Sequence, residues 1–166
     1  MNLETERLVL RPFVTADAVV QHQLWIERDL RVPPYRRISP DGHPTVAELE
    51  ARIAADELGS FLAVVERATG DMIGYCGLNR SYSVPEGEPE LGYELLRDSW
   101  GKGFATEASR ALIDSARASG HHRLWATVRD WNDASFRVLE KLGFVRTGRF
   151  DHDDLYGDSV YLALDI

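Results

Sequence analysis

The chain has one cysteine, no long apolar run and no surplus of basic residues, and each absence removes a class of protein. With Cys76 alone, no internal disulfide can form, which fits a reducing compartment. Cys76 has no evident basic neighbour and reads as a buried strand residue rather than a reactive thiol. No stretch approaches the ~20 apolar residues of a membrane span. The N-terminus lacks a basic segment leading into an apolar run, so a soluble cytoplasmic protein is expected. Asp and Glu outnumber Lys and Arg by 27 to 19, for a net charge of -8. Nucleic acid is therefore disfavoured as a partner, because phosphate binding needs basic patches and counterion release. An acidic surface suits a cationic partner, although solubility alone explains it as well. The chain also lacks a cluster of convergent metal ligands. His121 and His122 are adjacent, so their side chains do not converge, and no metal is expected.

What the chain does have is a glycine-rich passage, Trp100 to Ala108 (WGKGFATEA), running from a strand-like segment into a helix-like one. The first N–H groups of a helix have no internal partner, and the helix dipole adds partial positive charge there, so such a turn suits phosphate. Gly101 and Gly103 permit positive φ and close approach, Ala105 keeps the first turn slim, and Thr106 offers a hydroxyl. A Walker A loop is excluded, since Gly103 follows Lys102 and Leu96 stands where the upstream glycine belongs. A dinucleotide fingerprint needs a third glycine where Thr106 stands, and it survives only as a weak alternative.

At 166 residues the chain suits one domain, residues 1–166. Leu8–Arg11 alternates as a strand, and Thr15 or Asp17 caps a helix reaching about Arg28. The passage from Val32 to Pro44 holds four of the seven prolines and reads as a loop. Thr45 and Glu48 form a capping box for a helix that Gly59 would close. Phe61–Glu66 and Met72–Leu78 form a hairpin, followed by a strand over Glu90–Leu96 and a helix from Phe104 to Ser119. A strand over Leu124–Val128, a helix from Asn132 to Leu142 and strands over Val145–Phe150 and Ser159–Ile166 complete the pattern. A strand, a crossover helix and a second strand make a parallel pair.

Four segments, ETERLVLRPF, GEPELGYELL, WGKGFATEA and NDASFRVLEKLGF, together resemble the Gcn5-related N-acetyltransferase (GNAT) superfamily over nearly the whole chain, closest to its RimJ/RimL-type branch. The wider superfamily has Gln or Arg where this chain has Trp100. The resemblance implies an α/β (α+β) fold, a mixed, mostly antiparallel sheet of about seven strands with a splayed parallel pair, flanked by about four helices. It implies acetyl-CoA as co-substrate, its pyrophosphate on Gly101, Lys102, Gly103, Phe104, Ala105 and Thr106, and its pantetheine arm beside the backbone of Leu95 and Arg97. Asn132 and Ser135 match positions that contact the cofactor from the other side, though Asn132 also reads as an N-cap. The Val32–Pro44 loop is the expected selector of the acceptor, a protein N-terminus or a small-molecule amine, and a homodimer is left open.

Acyl transfer to an amine needs a proton acceptor, because an alkylammonium has no lone pair to attack with. Strand alternation puts Glu90 and Glu94 on one face, opposite Leu91, Tyr93 and Leu95, and either carboxylate could serve. A bulge could re-aim one of them. A backbone N–H near Leu95 or Leu96 could stabilise the developing oxyanion. Many superfamily members carry a tyrosine acid where this chain has Leu139, and the branch resemblance gives that role to Ser135, with Tyr156 or Tyr161 as alternative donors. The absent tyrosine also keeps open a noncatalytic acyl-CoA-binding module.

Overall fold

The computed structural model describes residues 2–166, which form one eight-stranded sheet with helices on both faces. The strands are β1 (Leu3–Glu4), β2 (Leu8–Arg11), β3 (Phe61–Glu66), β4 (Met72–Asn79), β5 (Glu90–Leu95), β6 (Arg123–Arg129), β7 (Val145–Asp151) and β8 (Ser159–Asp165). Their spatial order is β1-β2-β3-β4-β5-β6-β8-β7, and every neighbouring pair is antiparallel except β5–β6. The helices are α1 (Ala18–Glu27), α2 (Val46–Ala54), α3 (Phe104–Ala118) and α4 (Asp133–Leu142). No helix among the described residues is long and apolar enough to cross a membrane.

The eighth strand, against about seven expected, is the two-residue β1, too short to show alternation; it pairs Leu3 with Leu10 and Glu4 with Val9. The Thr45–Glu48 capping box forms, but α2 stops at Ala54 rather than at Gly59. Asp56 takes a left-handed φ of 54°, which ends helical propagation, and Asp tolerates that region better than most residues. The Val32–Pro44 passage is irregular apart from one 3-10 turn at Pro34–Arg36. Strand β5 has no bulge: its register with β4 is unbroken from Glu90↔Asn79 to Leu95↔Gly74. The irregularity lies instead in the β3–β4 ladder, where Val64 pairs with Gly74 and Val65 with Met72, leaving Ile73 of β4 as the extra residue.

The main core lies between the sheet and α3 and α4. Leu91 and Leu95 of β5 pack there with Cys76, Leu124, Ala126, Phe104, Leu112, Phe136 and Leu139. Side chains alternate along a strand, so Tyr75, Glu90, Gly92, Glu94, Trp125 and Thr127 point to the opposite face. That face receives the C-terminal end of α1, where Arg28 reaches Glu94, while Cys76 meets Ser109 of α3 on the core face.

Candidate active site

The parallel pair is held by one residue pair, Glu90↔Trp125, with the Trp125 N–H donating to Pro89 O at 3.0 Å. Beyond it β5 and β6 diverge, although β5 continues to pair with β4, and β6 with β8, along their lengths. Which β5 groups face the opening follows from the ladder. Leu96 N–H donates to Ile73 O at 2.9 Å, so by antiparallel alternation residues 90, 92 and 94 bond β4 while 91, 93 and 95 direct N–H and C=O toward β6. Past the Glu90–Trp125 bridge, Tyr93 and Leu95 therefore present backbone groups to the gap.

The gap leads to the glycine turn. Gly101 has φ 72° and Gly103 has φ 81°, left-handed values that only glycine adopts without strain. Gly103 is the N-cap of α3, and the first intrahelical bond is Glu107 N–H to Gly103 O at 3.0 Å. Among the described residues, the N–H groups from Gly101 to Thr106 donate to no protein acceptor, as an anion-holding turn requires. The turn is braced from the residue just before β2. Arg7 donates to Lys102 O at 2.9 Å, pairs with Glu107 at 2.6 Å and lies over the Phe104 ring at 4.6 Å. Burial would raise the Glu107 pKa, but hydrogen bonds from Thr5 and from the Arg7 backbone and guanidinium hold it below the ordinary carboxylate range. Beside the turn an open depression of about 770 Å³ is lined in part by Thr106, Arg110 and Lys141. Trp100 takes part as well: its indole N–H donates to Leu95 O at 2.8 Å, tying the turn to the end of β5.

Two expected backbone donors are already engaged. The Arg97 N–H is bound by Glu27 Oε2 at 2.8 Å, and Leu96 N–H by Ile73 O, so neither is free for an arm or an oxyanion. Leu95 N–H keeps the required direction. Across the gap, Asn132 caps α4, its Oδ1 accepting from the Ser135 N–H at 3.2 Å. The Ser135 carbonyl accepts from the Tyr93 hydroxyl at 3.3 Å, a contact spanning the two walls. Burial pushes the Tyr93 phenol up to about 12, with the Ser135 side chain acting in the opposite sense. Leu139 is 1% exposed, a core residue where an acid would otherwise stand. Tyr161 is also core, packed with Val84, Trp125 and Ala163 and donating to Asp151.

The two glutamates have different surroundings. Glu94 accepts two bonds from Arg28, at 2.8 Å from Nε and 2.7 Å from Nη2, and a third from the Tyr75 hydroxyl at 2.6 Å. Burial pulls the Arg28 pKa down, but the bonded Glu94 carboxylate more than reverses this; burial and the Glu94 charge both raise the Tyr75 phenol. Arg28 also donates to Arg36 O at 2.7 Å, tying the proline-rich loop to the site, and stacks on Trp25 at 4.3 Å. Glu90 is half-buried at the apex of the gap, its backbone paired on both sides and its carboxylate bonded to no protein group among the described residues. Between them Gly92 leaves room for the Phe61 ring, 3.1 Å from where a Cβ would stand. Arg28, Tyr75 and Arg7 were not singled out from the sequence as site residues, and Trp100 only as the first residue of the glycine-rich passage. The opening ETERL segment was the one signal for Arg7, while Arg28 and Tyr75 are brought in by tertiary packing.

A family model described as acetyltransferase (GNAT) domain matches residues 7–145. Among curated proteins, an uncharacterized N-acetyltransferase p20 of Bacillus licheniformis is 34% identical over 152 residues, covering 89% of this chain and 84% of that one. The L-amino acid N-acyltransferase MnaT of Escherichia coli is 30% identical over 111 residues, 66% of this chain and 62% of that one. Among solved structures, a GNAT-family acetyltransferase from Bacillus anthracis superposes with a TM-score of 0.80 at 23% identity, covering 99% and 98% of the two chains. The ribosomal L7/L12 α-N-protein acetyltransferase RimL, in complex with coenzyme A, gives 0.76 at 19% identity, covering 100% and 98%.

Proposed function

Because this chain belongs to the GNAT acetyltransferase family and is an acetyl-CoA-dependent acyltransferase, we propose that it N-acetylates the α-amino group of an amino acid or a protein N-terminus by direct attack. That acceptor is the chemistry shared by the L-amino acid acyltransferase relative and the L7/L12 α-N-protein acetyltransferase among its structural neighbours. Kinship to the RimJ/RimL-type branch rests on the opening ETERLVLRPF segment and on that neighbour. The observation that carries the reading is the run of free N–H groups from Gly101 to Thr106 at the mouth of a gap that opens after one ladder pair.

The residues present fit acetyl-CoA. Gly101 to Thr106 would hold its pyrophosphate, and Arg110 and Lys141 its remaining phosphate. Tyr93 and Leu95 would bond the pantetheine arm along the gap, with Asn132 and Ser135 on the facing wall. Acetyl-CoA supplies an activated acyl carbon and a thiol leaving group. An arm entering from the turn runs toward the apex, about 17 Å down β5 at roughly 3.3 Å per residue, and Glu90 stands there. Glu90 accepts the ammonium proton, while Glu94 stays neutralised by Arg28. The gap-facing N–H nearest the apex beyond the bridge, that of Tyr93, stabilises the developing oxyanion. The Ser135 hydroxyl hydrogen-bonds the departing thiolate, whose modest basicity removes the need for a strong acid.

The test is thermal unfolding with acetyl-CoA, NAD and ATP, followed by thiol release with amino acids and peptides bearing free N-termini. At about 100 times the dissociation constant, acetyl-CoA alone should add ~2.7 kcal/mol, or roughly 8 °C for a chain of this size. An equal shift with NAD, or a shift without turnover of any α-amine, refutes the proposal.

A further inference from the structure

The segment from Glu27 to Arg31, where α1 ends, touches both walls of the gap. On the β5 side, Glu27 Oε2 accepts from the Arg97 N–H at 2.8 Å, and Arg28 grips Glu94 through two bonds. On the β6 side, the Arg31 guanidinium lies 4.2 Å over the ring of Trp131, two residues past the end of β6 and next to the N-cap of α4. Asp133, at the start of α4, adds its charge to Arg31 from the same wall. Because β5 and β6 are parallel and diverge after the Glu90–Trp125 pair, their C-terminal ends form the mouth of the gap. A segment fastened at both ends crosses that mouth as a strap, on the face that carries Glu94.

The two fastenings differ in kind. The Arg28 side chain is 10% exposed and doubly bonded, whereas that of Arg31 is 58% exposed and meets the far wall through one stack. Both partners of that stack are set in advance. The Trp131 indole N–H donates to Tyr156 O at 2.8 Å, and Gly157 comes so close that a Cβ there would stand 2.7 Å from Trp131 Cδ1. Asp29 accepts from Arg31 Nε at 2.9 Å and Nη2 at 2.8 Å, which orients the guanidinium plane. An exposed cation–π contact is weak enough to break and re-form, so the strap has a fixed end at Arg28 and a releasable end at Arg31. We propose that Arg31 and Trp131 are positioning residues for the acyl donor: their stack latches the Glu27–Arg31 strap over the pantetheine arm and slows its escape from the gap. The inference rests on the placement of the arm between β5 and β6 given above. Neither residue touches the reacting atoms; covering a flexible arm restricts it and so keeps the acyl carbon near the apex.

The test compares two ligands, acetyl-CoA and the phosphorylated ADP half of coenzyme A, which lacks the arm. Arg31→Gln removes the cation and Trp131→Leu the ring. Trp131→Phe keeps an aromatic face but loses the N–H that bonds Tyr156, so it separates the stack from the support of the neighbouring loop. Dissociation rates come from stopped-flow displacement and dissociation constants from titration calorimetry. In Arg31→Gln and Trp131→Leu, acetyl-CoA should dissociate about 2- to 5-fold faster, the scale of one exposed cation–π contact, while binding of the armless half stays unchanged. Trp131→Phe should keep most of the slow release, and the double variant Arg31→Gln with Trp131→Leu should release acetyl-CoA no faster than the faster single variant, because both break one contact. Unliganded Arg31→Gln should melt within about 2 °C of the unsubstituted protein. Equal loss of both ligands, unchanged acetyl-CoA release in Arg31→Gln, or a Trp131→Phe variant as impaired as Trp131→Leu overturns the latch. If the unsubstituted protein binds the armless half as tightly as acetyl-CoA, the arm is not held in the gap and the latch falls with that placement. If it binds neither, the acyl-donor reading itself falls.

Discussion

Replacing Glu94 and Glu90 separately by Gln should damage the protein in opposite ways. The Arg28 side chain is 10% exposed and that of Glu94 is 23% exposed, so Glu94→Gln strands a guanidinium largely withdrawn from water. Removing one member of a fully buried ion pair costs about 3–5 kcal/mol, and the remaining exposure here reduces that to about 2–3 kcal/mol. With an unfolding entropy near 2.1 cal/mol/K per residue, the 166 residues give roughly 350 cal/mol/K. The melting point should therefore drop by about 6–9 °C. Glu90 has no protein partner to strand, so Glu90→Gln should stay within about 0.5 kcal/mol, or 1–2 °C. Its kcat/KM for the amine should fall by about 100- to 10,000-fold, the usual scale for losing a general base. Calorimetry and thiol release, both on folded protein below the transition, separate the two effects. The reasoning is refuted if Glu94→Gln melts like the unsubstituted protein yet is inactive, or if Glu90→Gln retains full activity.

Gly103→Ala should weaken acetyl-CoA binding and lower stability by about 1–2 kcal/mol, because φ at this position is 81° and the added Cβ would stand 3.4 Å from Arg7 Nη2; titration calorimetry and melting check both. Arg7→Met removes the brace on Lys102 O and should raise the acetyl-CoA dissociation constant about 5- to 20-fold, since a charge-assisted bond to the turn is lost, with NAD as the control ligand. The acid limb of stability should carry the mark of Glu107. Its folded pKa lies below the ordinary value of 4.5, so the unfolded chain binds more protons and stability rises with pH. That contribution is complete above about 4.5 and is lost as pH falls through the folded value, so melting against pH should be flatter below 4.5 in Arg7→Met than in the unsubstituted protein.

Local signals made most of the architecture legible from residues alone. Strands β2 and β3 and the start of α3 came from alternation, from the β3–β4 turn glycine and from the Gly103 N-cap, all of which act within a few residues. Gly143 stops α4 with φ 93° for the same reason. The glycine turn was legible because its proposed role resides in backbone groups, which spacing alone positions. What could not be read were partners distant in the chain. Arg28 and Glu94 are 66 residues apart, and Arg7 and Glu107 are 100 apart, so no periodicity links them. The shared face of Glu90 and Glu94 was readable from alternation, but their different charge environments were not. Leu96 and Arg97 failed as free donors for the same reason, since Ile73 and Glu27 come from other elements.

The two glutamates show how one strand can carry the same residue twice for different work. Three features keep them apart. Four residue steps along β5 separate them by about 13 Å, Gly92 admits the Phe61 ring between them, and Arg28 cancels the charge of Glu94 while fastening the loop at Arg36. The cation that neutralises Glu94 is thus the one that holds the proline-rich loop. Any change there that frees Glu94 also loosens the loop and leaves a second unpaired carboxylate on the face that carries Glu90. Glu90, at the apex where the parallel ladder stops, needs none of this support: its position is fixed by backbone pairing on both sides, to Asn79 and to Trp125. The sheet itself thus holds Glu90 and leaves its carboxylate free of hydrogen bonds from the described residues, which suits the proposed transfer of a proton from an amine.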